Sequence, residues 1–305
     1  MKAIFIVFIA LFSFTGKISS QEYRFELSKT KSEHYTFPIK LDNELQATAL
    51  LESGIHVMLI DSAFIFDNID KFNLELIPCD KRQRMNLGGK ACHIAYTAKG
   101  NILISSDVMY KGEIFILSNY SREYQVAIPV QNLYNKKRKR RIIKLDLNNR
   151  QLEVLPKKNI SKKGWKKITM NSDTYLNMPA VQTELTVNKD GNTILLKGNY
   201  NMDLGNASFL FLLAQNKVVQ EWLTANPNIK LQKAYNRKGE VIAKAFVPEE
   251  CRLLGIDFKS PVIAITKALP HFTTEGDIGL KFFQDVIAIF DFDKGICYMK
   301  HTIQP

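Results

Sequence analysis

The sequence predicts a mainly β protein made of two related barrel-like lobes with only short helices. Short alternating runs fill most of the chain, a Lys-rich boundary lies near its middle, and two motifs recur at similar separation on either side. The 305 residues, 46% of them hydrophobic, suffice for two ordinary domains with real cores and exclude a disordered chain.

Residues 1–20 stand apart. Lys2 precedes an unbroken apolar stretch from Ala3 to Phe12, then polar and small residues ending in Ser19-Ser20. That is the pattern of an export signal, too short to cross a bilayer of about 30 Å as a helix. A buried N-terminal strand is the alternative. The expected mature chain starts near Gln21 and is periplasmic or extracellular, without stable membrane insertion.

The formal charge is +12, and much of the excess sits in KKRKRR at 136–141 and in the Lys-rich segment 157–167. A nucleic-acid surface interleaves such charge with aromatics or presents it on a recognition helix. Here it is local, so solvated loops are expected and no nucleic-acid partner. Cys79, Cys92, Cys251 and Cys297 fall two to a half, and an oxidising compartment permits one disulfide in each; buried free thiols are the other reading. The five His residues lack the spacing of a zinc site or a Ser/His/Asp set. No metal or cofactor is expected.

Along the chain, 35–41 and 45–51 alternate around Asp42-Asn43, which predicts a hairpin. Further strands are expected at 100–104, 113–117, 142–147 and 151–155. Apolar spacing over 209–223 predicts the clearest helix, with Asn206 or Ser208 as its cap. Residues 156–170 read as a linker between lobes at 21–155 and 171–305, punctuated by Pro156 and Gly164.

The halves echo each other. LLESG (50–54) and YNMDLG (200–205) each deliver an acid and a Gly from an apolar strand. Residues 143–155 and 287–299 each read strand, Asp turn, strand, with Asp146 and Asp291 in equivalent places. Glu52 precedes Asp146 by 94 residues and Asp203 precedes Asp291 by 88; the excess of six matches the basic run.

A strand ending in an acid and a Gly has a particular use. The Gly allows two such turns to approach back to back. Two carboxyls about 3 Å apart cannot both ionise, so they share a proton, one serving as base and the other as acid.

In these features the chain resembles the retropepsin and pepsin clan of aspartic peptidases, in an exported bacterial form. The likeness covers about 35–155 and 175–300. It rests on the hairpins leading to Glu52-Ser53-Gly54 and Asp203-Leu204-Gly205 and on a late strand, Gly276 to Phe283, before the final hairpin. Asn86 to Gly89, with Tyr96 nearby, matches the place of a flap. The resemblance implies two acid-protease-like lobes, Asp203 and Glu52 as catalytic pair, and Ser53, Gly54 and Gly205 as supporting turn residues.

Three positions depart from the family pattern. Glu52 replaces an Asp, Leu204 replaces a Thr or Ser, and Ile128 to Leu133 lacks the Gly of the second late strand. The expected function is an interlobe cleft that accepts an extended peptide or unfolded protein, with catalysis weak or lost. The alternatives are an active endopeptidase using Asp203 with Glu52, and a non-catalytic structural or surface-binding protein. Asp61 is expected to cap a helix or turn and not to substitute for the catalytic acid.

Overall fold

The computed structural model describes residues 23–302 apart from 43, 88–89, 107, 119, 122, 136–138, 140–141, 156–162, 173–177, 190, 236–240 and 267–272. The expected signal at 1–20, the basic run other than Lys139, and the Gly88-Gly89 turn lie outside the described residues.

The first hairpin forms where alternation places it. Tyr35–Leu41 pairs with Leu45–Glu52, and Phe37, Ile39, Ala47 and Ala49 are all buried on one face. Asp42 turns the chain at φ 46°, and its carboxylate accepts from the Leu103 amide at 3.0 Å.

Each lobe then repeats one connectivity. In the first, Leu45–Glu52 runs parallel to Val126–Pro129, which is antiparallel to Met58–Asp61. Met58–Asp61 runs parallel to Val108–Ser118, itself antiparallel to Lys90–Ser105. In the second lobe the same series is Asn192–Met202, Gly276–Ile278, Leu210–Leu213, Ile263–Thr266 and Val241–Phe246. Both acids therefore leave the C-terminal end of a buried central strand.

The hairpins that echo in sequence meet in a six-stranded sheet joining the lobes. Ile142–Asp146 lies antiparallel against Val286–Asp291, with Gln151–Leu155 and Ile296–His301 outside them. Asp146 and Asp291, both buried, accept the turn amides of Asn149 and Lys294. A continuous apolar core runs from the first lobe through this sheet into the second. Its burial is the main force holding the lobes together.

Several local expectations are corrected. Within the predicted linker, Lys166–Thr169 is an edge strand on Ile296–His301, its Ile168 turned inward between exposed Lys167 and Thr169. Four residues are too few for alternation to stand out against the Lys content. The predicted helix at 209–223 divides. Leu210–Leu213 is a central strand, and the helix is Lys217–Ala225, capped by Asn216, whose side chain accepts from the Val218 amide. A continuous apolar run suits a strand buried on both faces as well as a helix, and here tertiary pairing decides.

The late segment is likewise a strand only over Gly276–Ile278; Leu280–Gln284 is a short helix. All four cysteines are free thiols, which removes the reading of one disulfide per lobe. Burial pushes the Cys251 thiol up to about 12 and Cys297 upward as well, so both stay protonated and inert. Among the described residues, no helix is long and apolar enough to cross a membrane.

Candidate active site

The two acid turns meet between the lobes. Glu52 and Ser53 are buried, and an added Cβ on Gly54 would fall on the Asp203 carboxylate. An added Cβ on Gly205 would fall on the Glu52 carboxylate. Each Gly is thus the floor beneath the opposite acid, which is the physical reason for Gly at both positions. The two carboxyls face each other closely enough that each alters the other's proton affinity.

The missing hydroxyl at 204 explains how each acid is held. Ser53 Oγ donates to the Met202 carbonyl at 2.7 Å and accepts from the Leu204 amide at 2.8 Å, tying lobe to lobe. Leu204 has no hydroxyl to return these bonds; its side chain is buried in the core. The Ser53 amide instead turns to Glu52 Oε1 at 2.8 Å, joined by the Gly54 amide at 2.7 Å. Asp203 Oδ1 receives the Gly205 amide at 2.8 Å. Half of the symmetric cross-lobe lock survives, and the longer Glu side chain uses the amide left over.

Burial, then the adjacent Asp203 charge, push the Glu52 carboxyl well above the usual carboxylate range, against the opposing Gly54 and Ser53 amides. Burial also raises Asp203, while the Gly205 amide, the bond from Glu52 and the nearby His34 act the other way. Both carboxyls are thus raised together, and the pair holds one proton between them above the usual carboxylate range.

A raised folded pKa confers stability that is complete below the ordinary carboxylate pKa and is lost as pH rises through the folded value. Each unit of elevation is worth about 1.4 kcal/mol. Thermal stability is therefore expected to fall as pH rises above 4.5, and Glu52→Gln, which mimics the protonated acid, should flatten that fall. Melting curves across the range test this; an unchanged slope in Glu52→Gln would place the dependence elsewhere.

The turns are braced differently in the two lobes. By register Pro129 stands opposite Glu52, where Gly279 follows the pairing of Met202 with Ile278 in the second lobe. An added Cβ at Gly279 would meet the carbonyls of Ser208 and Asn206, and the Leu280 amide bonds the Asn206 carbonyl at 2.7 Å. In the first lobe the buried Gln131 side chain spans the gap, donating to the carbonyls of Ser53 and Ile55. The absent Gly is compensated by an amide side chain.

The expected tie through Ser53 is directly testable. Ser53→Ala leaves the buried Leu204 amide and Met202 carbonyl without their partner and should cost about 2 kcal/mol, whereas Ser53→Thr keeps the hydroxyl and should cost much less. Chemical denaturation of both variants checks it; equal losses would mean that the hydroxyl contributes nothing.

Glu52 and Asp203 line a cleft of about 420 Å³. Its wall includes His34, Leu87, Asn206, Ser208, Phe211 and Asp277. Leu87 comes from the hairpin Arg84–Leu87 with Lys90–Ser105, in the place expected of a flap. Tyr96 packs edge-on against Phe66 (5.3 Å between ring centres) and does not line the cleft. Asp61 is a helix cap, accepting from the Ala63 and Phe64 amides.

His34 and Asp277 were not expected at the site, and Asn206 and Ser208 were expected only as helix caps, a place Asn216 takes. His34 stands in a loop with no motif around it. Asp277 carries a signal only in hindsight, as a charge inside an apolar strand. Among the described residues, no cluster of three or more His, Cys, Asp or Glu side chains could hold a metal.

The fold and the paired acid turns define an acid-protease-like architecture of the pepsin type. No protein-family model matches the chain, and no curated protein matches it by sequence. Among solved structures it is similar to the aspartic proteinase from Irpex lacteus, with a TM-score of 0.55 over 92% of this chain and 98% of that one. Sequence identity is 9%, so the likeness is one of fold and carries no statement about activity.

Proposed function

We propose that the protein binds an extended peptide or unfolded protein segment in the interlobe cleft and hydrolyses it slowly through Asp203 and Glu52. The observation that carries this reading is the pair of facing carboxyls on the cleft floor, each seated over the glycine of the opposite turn. In the reaction, Asp203 takes a proton from water as the water oxygen bonds to the peptide carbonyl carbon. Glu52 gives its proton to the carbonyl oxygen. Collapse then breaks the C–N bond: Asp203 returns its proton to the leaving nitrogen and Glu52 takes one from a hydroxyl of the intermediate, yielding a carboxyl and an amine with the pair as it began. The apolar run at the N-terminus supports an exported protein acting outside the cytoplasm.

Binding without cleavage is the second reading. The extra methylene of Glu52 and the half-formed cross-lobe lock favour it, because small displacements at a reacting centre cost about 10²-fold in rate. Incubation of the mature chain with unfolded substrates from pH 3 to 7, with and without a statine-type inhibitor, separates the two. Slow, inhibitor-sensitive cleavage that disappears in Asp203→Ala is expected. Peptide binding with no cleavage supports the second reading, and loss of both overturns the proposal.

A further inference from the structure

One wall of the cleft has a chemistry that the acid pair does not use. Along the strand that delivers Asp203, Asn201 lies two residues earlier and so points to the same face, while Tyr200 and Met202 turn into the lobe core. In the parallel register Asn201 stands beside Asp277, and its Nδ2 donates to Asp277 Oδ1 at 2.9 Å and to Thr274 Oγ1 at 3.1 Å. Asn201 is 0% exposed and Asp277 8%. The floor next to the acid pair is thus polar and acidic.

Two further groups point to a ligand. Asn206 Nδ2 and Ser208 Oγ are buried without a hydrogen-bond partner, and both residues line the cleft with Asp277. Asn206 is only 9% exposed. Leaving buried polar groups unmet is costly, and an occupant of the cleft can meet them. Asn206 Oδ1 already accepts from the Ser208 amide, so its Nδ2 is left to donate to a main-chain carbonyl of the occupant. A carboxylate, in contrast, is served by a cation. Phe211, half-buried beside Asp277 in the antiparallel register, offers an apolar surface for the methylene stem of such a side chain.

Resting on the peptide-binding function proposed above, we infer that Asp277, braced by Asn201, makes the second-lobe pocket beside the acid pair select a lysine or arginine side chain of the bound peptide. Two residues along a strand span about 6.6 Å, so the pocket receives the side chain flanking the bond held over Asp203. Asp277 is a specificity residue and takes no part in bond breaking.

The test uses the full mature chain and a set of extended peptides differing at the two residues around the central bond: Lys, Arg, Leu, Phe or Glu. Binding is read by fluorescence anisotropy at pH 5.5, independently of cleavage. Peptides with Lys or Arg at one of the two positions should bind about 10²-fold more tightly than those with Leu, and Glu should be weakest; a buried polar site discriminates strongly against a ligand lacking its partner. In Asp277→Asn, which keeps the acceptor for Asn201, that preference should collapse, the Lys and Arg peptides falling to about the affinity of the Leu peptides. A flat wild-type profile overturns the inference while leaving peptide binding standing. Equal weakening of all peptides by Asp277→Asn, with an unchanged melting curve, would make Asp277 a bracing residue and also overturn it. No binding of any peptide removes both this inference and the function on which it rests.

Discussion

Restoring Asp at 52 and Thr at 204 together is expected to raise peptide hydrolysis by about 10²-fold, the scale on which a misplaced reacting group reduces rate. Glu52→Asp withdraws the carboxyl by one methylene. Leu204→Thr supplies a hydroxyl where the Ser53 amide now turns to Glu52 Oε1 for lack of a cross-lobe partner. With that amide recaptured, both acids would be held by their turns in the same way. Leu204 is 1% exposed in the core, so its loss should lower stability by about 2 kcal/mol, and rates must be taken per folded molecule. Glu52→Asp alone carries no such cost and should give part of the gain. No gain in either variant would show that something other than these two positions limits the chemistry.

Gly276→Ala is expected to destabilise the protein by about 3 kcal/mol, near the upper end of typical overpacking costs. Gly276 lies in a three-residue strand between Asn192–Met202 and Leu210–Leu213. An added Cβ would fall on the Phe211 carbonyl oxygen and reach the Leu212 Cα at 3.4 Å. Those atoms are backbone of a central strand, so no side-chain rotation relieves the contact. Because this strand leads into the turn that braces Asp203, peptide binding should weaken alongside the fall in melting temperature. A variant as stable as the wild type would mean that the strands separate more easily than their pairing implies.

Much of the scaffold was legible because alternation is a local signal. The hairpin at 35–52, the strands at 142–146 and 151–155, and the acid-Gly turns all follow from residues a few positions apart. The duplication was legible from spacing, and the structure returns it as two lobes of one connectivity whose echoing hairpins pair through Ile142–Asp146 and Val286–Asp291. The helix at 209–223 was misplaced because an apolar run buried on both faces reads the same in either state. Tyr96 fell outside the cleft because its neighbour across the sheet surface is Phe66, which lies 30 residues away in the chain.

At the site the division is sharper. From sequence alone came Glu52 for an Asp, Leu204 for a hydroxyl residue, and a missing Gly near Pro129; these are identities and need no coordinates. Only tertiary structure could decide their consequences. Ser53 ties the two acid turns through Met202 and Leu204, Gln131 stands in for the absent Gly, Glu52 and Asp203 share a proton, and Asp277 faces the same cleft as Asp203. The reason is physical: a residue's type fixes which bonds it can make, while burial and partners far away in the chain determine which bonds form and what charge it carries.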